Sequence, residues 1–312
     1  MIRKHTRRAA KAAFAISLGV AIVIGLYAAA FTRPAHASPK AGPTIILGTK
    51  NFDEEYILGQ LYKQALEAKG YKVAYHENIG STEVIDKALT SGQIDVYPEY
   101  LGTLLSVNFH KASVPKSPTA ALAEAKALDA KRGLTLFTPT PFYDTDAIGV
   151  PAATAKQYGL KTVADLKKVP GLSICGFPEF RTRYAGLVGL KQAYGLSPKF
   201  VPLAGISVYA AMDAGKCKVG DVFSTDPQLA SPSKYVVLAD PKEIFSERSQ
   251  TVVPEVRIAL VKQLGAKLRQ TFDAVSAKLT LPAMIAMNKA VIIDKKQPAA
   301  VARAFLKANG LV

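Results

Sequence analysis

From residue 44 onward the chain alternates short apolar runs with helix-period patterns, and this order restricts the fold more than any other feature of the sequence. Residues 44–48 (T-I-I-L-G) form the first apolar run. Asn51 is placed to cap the helix that follows, with Glu54 three residues on completing a capping box. Ile57, Leu58, Leu61, Tyr62, Ala65 and Leu66 then recur at helical spacing, and Gly70 ends the pattern. Residues 72–75 read as a second strand. Ser81 or Thr82 starts a helix carrying Val84, Ile85, Ala88 and Leu89, which Gly92 ends, and 94–97 read as a third strand. The order β-α-β-α-β predicts a mostly parallel sheet covered by helices. A helix is expected over 120–132. A second α/β pattern follows: strand 172–175, helices 184–194 and 208–215, strand 219–223. The tail reads as three helices, 258–272, 281–290 and 299–309. Two α/β units with no strong linker between them predict two lobes joined by crossing strands, with a ligand cleft between the lobes.

The first 37 residues do not belong to that pattern. Arg3, Lys4, Arg7, Arg8 and Lys11 precede an uncharged stretch from Phe14 to Phe31, and Ala35-His36-Ala37 follows Pro34. A basic start, an apolar middle and an A-x-A end read as a signal peptide cleaved after Ala37, which places the rest of the chain in the periplasm. The alternative, an uncleaved anchor, would need those apolar residues to span a bilayer. Removing the leader takes away six of the 40 Lys and Arg and none of the 24 acids, so the net charge falls from +16 to +10. The remaining cations are spread along helices without a basic run, and a nucleic-acid partner is not expected. Cys175 and Cys217 are the two cysteines, and only His76 and His110 remain after the leader. No C-x-x-C, H-E-x-x-H, G-x-S-x-G, G-x-G-x-x-G or P-loop motif occurs, which argues against a metal site, a bound cofactor and the common hydrolase chemistries. In an oxidising compartment two cysteines commonly pair. Cys175 ends one predicted strand and Cys217 precedes another, and two separate buried thiols are the alternative.

Six segments carry a resemblance: G-T-K-N-F-D-E-E-Y-I-L-G-Q-L (48–61), N-I-G-S-T-E-V-I-D-K-A-L (78–89), G-Q-I-D-V-Y-P-E-Y-L-G-T (92–103), E-F-R-T-R (179–183), S-T-D (224–226) and L-P-A-M-I-A-M-N-K-A-V (281–291). In this order, and over nearly the whole mature chain, the sequence resembles the substrate-binding proteins of osmoprotectant ABC importers, which bind glycine betaine, choline, carnitine and proline betaine. The resemblance implies a type II periplasmic binding protein fold. Lobe one would be discontinuous, residues 43–144 plus 253–312, and lobe two would span 147–250. It implies a monomeric, non-enzymatic solute binder that hands its ligand to an ABC permease driven by an ATPase subunit. A periplasmic ligand sensor would share the same site.

The chemistry of a betaine suggests which residues would hold it. Its carboxylate wants cationic donors and helix N-termini. Lys50 precedes one predicted helix, Gly80-Ser81-Thr82 opens another, Thr103 adds a hydroxyl and Arg183 a bidentate donor; in the family the residues matching Lys50, Thr103 and Arg183 hold the carboxylate. A quaternary ammonium has no N–H and is best held by aromatic faces. Tyr100 matches the first position of the family's aromatic cage and Phe223 the third. At the second, Asp146 takes the aromatic place, and near the fourth stand Glu247 and Arg248. The cage therefore reads as half dismantled, with Phe142 or Tyr143 available to replace what is lost. This pattern points either to a betaine or to a solute with N–H groups or a second polar arm, such as an amino-acid derivative.

Overall fold

The computed structural model describes residues 42–111, 114–115, 117–203, 207–245 and 250–312. The expected leader lies outside them. Among the described residues the strands are β1 (Ile45–Lys50), β2 (Val73–Gly80), β3 (Val96–Tyr100), β4 (Leu134–Leu136), β5 (Asp146–Pro151), β6 (Ser173–Gly176), β7 (Lys199–Pro202), β8 (Val219–Phe223), β9 (Tyr235–Val237) and β10 (Val252–Arg257). They build two five-stranded sheets with the same plan. The first runs β2-β1-β3-β10-β4, the second β7-β6-β8-β5-β9. In each, three strands are parallel and a fourth, β10 or β5, lies antiparallel beside them.

Those two antiparallel strands follow or precede the chain's passage between the sheets. The passage is a pair of neighbouring segments: Tyr143 bridges Thr251, and the Asp144 amide donates to the Gln250 carbonyl at 3.0 Å. The fold is thus two α/β lobes, as the alternation in the sequence predicts.

The first helix shows how the local sequence makes the element. Asp53–Ala68 buries Ile57, Leu58, Leu61, Tyr62, Ala65 and Leu66 on one stripe against β1 and the C-terminal helices. Three acids occupy its first turn, where the helix dipole favours negative charge. Its last turn closes at Lys69, and Gly70 takes φ +85°, a conformation open to glycine at no steric cost. The C-terminal helices Ala266–Ser276, Leu281–Ile292 and Pro298–Ala308 pack around it, with the Tyr62 hydroxyl 2.9 Å from Ser276 Oγ inside that core.

Several local expectations change. The Asn51–Glu54 capping box does not form: Phe52 is the N-cap residue, without a side-chain cap. Glu54 instead turns inward to tertiary partners described below. The helix expected over 258–272 is two helices, Ile258–Leu264 and Ala266–Ser276, separated by Gly265 at φ +72°. The helix expected from Tyr184 becomes regular only at Gly189–Tyr194, because Ala185 and Gly186 leave helical geometry. Cys175 and Cys217 are joined in a disulfide, with Cα atoms 5.7 Å apart. Parallel pairing makes this possible: Cys175 on β6 faces Gly220 on β8, and Cys217 leads into β8.

Candidate functional site

In open α/β sheets a ligand crevice forms beyond the carboxyl ends of the parallel strands. Here those ends converge from both sheets. Lys50 ends β1, Tyr100 ends β3, Phe177 follows β6 and Phe223 ends β8. All four line one cleft of about 710 Å³, open solvent at its mouth included. The lining also takes in Phe52, Thr82, Thr103, Asp146, Arg183, Asp221 and Gln250. Six of the seven residues expected from sequence, Lys50, Tyr100, Thr103, Asp146, Arg183 and Phe223, are therefore brought together. The seventh, Arg248, lies outside the described residues, as does Glu247.

Lys50 is a buried cation held from several sides. Its Nζ is paired with Glu99, donates to Thr82 Oγ1 at 3.3 Å and stands 4.5 Å from the centre of the Tyr100 ring. Glu99 in turn accepts the Tyr97 hydroxyl at 2.9 Å. The backbone N–H of Lys50 donates to Glu55 Oε2 at 3.0 Å, while Glu55 Oε1 is buried without a partner. Burial pushes the Glu55 carboxyl up to about 8, against the opposing pull of Lys50.

Tyr100 is oriented by its hydroxyl, which donates to Glu54 Oε1 at 2.7 Å. Asn288 donates to Glu54 Oε2 at 2.7 Å and to the Thr225 carbonyl at 3.2 Å. This one amide therefore links the N-terminal helix, the closing L-P-A-M-I-A-M-N segment and the S-T-D turn of the other lobe. The S-T-D turn has its own logic. Ser224 Oγ and the Thr225 amide both donate to Asp144 at 3.1 Å, and Asp226 accepts the Phe223 amide and the Tyr209 hydroxyl, each at 2.9 Å. Those bonds fix Phe223 at the cleft.

Thr103 is engaged by a residue the sequence reading missed. Its amide and hydroxyl both donate to Gln250 Oε1, at 3.1 and 3.2 Å. Gly102 lets the Gln250 amide approach so closely; a Cβ there would stand 2.8 Å from Gln250 Cδ. Arg183 reaches across to the first lobe and donates twice to Glu83, at 3.1 and 3.2 Å. Its Nε is buried and has no partner.

The aromatic lining is fuller than the sequence suggests. Phe52 lies 6.0 Å from Tyr100 and stacks parallel on Phe223 at 6.3 Å, and Phe177 lies 6.2 Å from Phe223. Four rings from both lobes thus form one chain. Phe142 and Tyr143 do not supply them. Phe142 is fully buried in the core of the first lobe, and Tyr143 belongs to the crossing segment and does not line the cleft. Among the described residues no three metal-ligating side chains are grouped to hold an ion.

Comparison with known proteins agrees with this architecture. Residues 43–308 match the family model described as the substrate binding domain of ABC-type glycine betaine transport systems. The chain is 31% identical over 283 residues to a glycine-betaine-binding protein of Pseudomonas aeruginosa, covering 86% of this chain and 89% of that one. It is 26% identical over 271 residues to a carnitine transport binding protein of Listeria monocytogenes, covering 85% and 87%. A crystal structure of a glycine betaine/carnitine/choline ABC transporter component superposes with a TM-score of 0.67 at 26% identity, covering 86% of this chain and 99% of that one. Such relatives bind solutes for transport and are not enzymes. The chain belongs to the family of substrate-binding domains of ABC-type glycine betaine transport systems.

Proposed function

We propose that this protein captures a small zwitterion in the cleft between its lobes and presents it to an ABC permease whose ATPase subunit drives import. The observation that carries this reading is the pairing of four contiguous rings with two cations in one cleft. Arg183 Nε, buried without a partner, and Lys50 at the mouth of the helix Thr82–Thr90 offer donors to a carboxylate, with Thr103 beside them. Tyr100, Phe52, Phe223 and Phe177 offer faces to a cationic head, each contact worth about 0.5–2 kcal/mol. Asp146 would adjust the pocket's polarity at the cationic end, and Arg248 would add a donor for an oxygen or a second carboxylate. The nominal ligand class is betaines, choline and carnitine, the solutes named for its relatives. The lobes are residues 43–144 plus 253–312 and 147–250, hinged at the crossing near Asp144 and Gln250, and the protein works as a monomer.

Export completes the reading: residues 1–37 direct the chain to the periplasm and are removed after Ala37. N-terminal sequencing of the exported protein would then begin at Ser38.

The test of function is a thermal-shift panel of glycine betaine, choline, carnitine, proline betaine and dimethylglycine. A ligand that binds only the folded state stabilises by about 2.7 kcal/mol at a hundred times its dissociation constant. A saturable rise in melting temperature with at least one solute is expected, and the solute should be recovered unchanged. No shift with any of them, or a chemically altered solute, would overturn the proposal.

A further inference from the structure

The second-lobe wall of the cleft holds an acidic pair whose geometry is unusual for a site meant only for aprotic cations. Asp146 on β5 faces Phe223 on β8 across an antiparallel register, and Asp221 lies two residues before Phe223 on the same strand. Side chains two apart share a face, so Asp146, Asp221 and Phe223 are neighbours on one side of the sheet. All three line the cleft. Asp221 is 2% exposed, and its Oδ1 is buried with no hydrogen-bond partner. Gly176 leaves room behind it; a Cβ at Gly176 would stand 3.1 Å from Asp221 Cβ.

Two buried carboxyls on one face of the sheet favour sharing one proton over carrying two charges. Burial and the neighbouring Asp146 charge raise the Asp221 carboxyl well above the usual carboxylate range, while Arg183 draws both acids the other way. A buried acceptor without a donor is costly, and the retained proton relieves only one of the pair's oxygens. The remaining oxygen calls for a donor, which a trimethylammonium group lacks and a protonated amine or ring N–H has.

Building on the solute-binding reading above, we infer that Asp146 and Asp221 form a hydrogen-bonding subsite for the ligand's cationic end, selecting cations that carry N–H over fully alkylated ones. The aromatic rings beside the pair take the alkyl groups of the same head, and the acids take its N–H. The favoured solute is a partly methylated or unmethylated ammonium zwitterion, or one with a protonated or neutral ring N–H.

The experiment is calorimetric titration of the purified protein with matched pairs differing in one N-methyl group: glycine betaine against dimethylglycine, and carnitine against norcarnitine. The member with N–H is expected to bind at least about tenfold more tightly, the effect of one buried charge-assisted hydrogen bond. Asp221→Leu and, separately, Asp146→Leu, which take away the acceptor without leaving an amide oxygen in its place, should erase that preference. Two variants guard against one failing to fold, which far-ultraviolet circular dichroism reports. If the fully alkylated members bind as tightly as their N–H partners, or if both variants keep the preference, the acidic subsite is refuted and the solute-binding function stands. If no zwitterion of either kind binds, the solute-binding reading fails and takes this inference with it.

Discussion

Reduction of the Cys175–Cys217 bond is the perturbation whose size follows most directly from the structure. The cysteines are 42 residues apart, and the closed loop includes β7 and the helix Val208–Asp213. Loop-closure entropy for that separation is about 13 cal/mol/K, or ~4 kcal/mol at 25 °C. Taking ~2.1 cal/mol/K of unfolding entropy per residue over the folded region, the loss lowers the melting temperature by roughly 7 °C. Both sulfurs are buried within a cluster of Val208, Tyr209, Met212, Val222 and Tyr235. The protein must therefore be reduced in denaturant and refolded with reductant present. Reduction keeps every core atom except the bond, so cavity terms that would confuse a Cys→Ala variant do not enter. Guanidinium unfolding with and without reductant is the assay, with intact mass after alkylation confirming two free thiols. A steeper denaturant dependence should accompany the lower midpoint, because the unlinked chain exposes more surface on unfolding. Equal midpoints for reduced and oxidised protein would refute the entropic reasoning.

Three further outcomes are expected. Glu55 has a folded-state proton affinity raised by burial, so stability is unaffected near pH 4, where both states are protonated, and declines as pH rises through 4.5 to about 8; Glu55→Gln, isosteric with the protonated acid, should remove that decline in denaturant titrations at pH 5 and 8, and an unchanged pH dependence would count against it. Asn288→Ala removes donors to the Glu54 carboxylate and to Thr225 in the other lobe, and is expected to cost about 1.5–3 kcal/mol in unfolding free energy as well as weakening ligand binding; a loss of stability with unchanged affinity would show that this link does not serve closure. Phe52→Ala takes away the ring between Tyr100 and Phe223 and should weaken binding of a cationic solute about 5- to 30-fold with no change in the sheet signature by circular dichroism.

The parallel half of each lobe was legible because it is written in local periodicity. The runs at 44–48, 94–97, 172–175 and 219–223 map onto β1, β3, β6 and β8, buried on both faces as central parallel strands require. The strands that were harder to see are short or antiparallel. β4 and β9 have three residues each, too few for any period to show, and β10 contains Pro254 and Glu255, which read poorly as strand. Pro254 is tolerated opposite Pro98, where neither residue has an N–H to give the ladder. The failed capping box teaches the same lesson from the other side. Asn51 and Glu54 have the right spacing, but Glu54 makes two bonds of 2.7 Å to Tyr100 and Asn288, and those tertiary partners outweigh one local cap.

The site divides along the same line. Residues embedded in contiguous motifs, such as Lys50 in T-K-N-F and Tyr100 in Y-P-E-Y, were visible; those that reach the cleft from another sheet or from the crossing were not. Gln250 has no motif around it and acts only because Gly102 lets it reach Thr103. Phe177 and Asp221, however, left a signal that topology could have decoded. Phe177 directly follows β6, as Phe52 follows β1 by two residues, and the strand ends of an open α/β sheet are where a ligand is met. Asp221 precedes Phe223 by two positions in a predicted strand, so once Phe223 is assigned to the cleft, the period of the strand assigns Asp221 to the same face. An acid on a face already committed to a buried pocket must find a donor or keep a proton. Phe52 and Phe177 extend the row of rings beside Tyr100 and Phe223, and Asp146 stands next to it on the same face as Asp221, a second acid that the strand period alone was enough to locate.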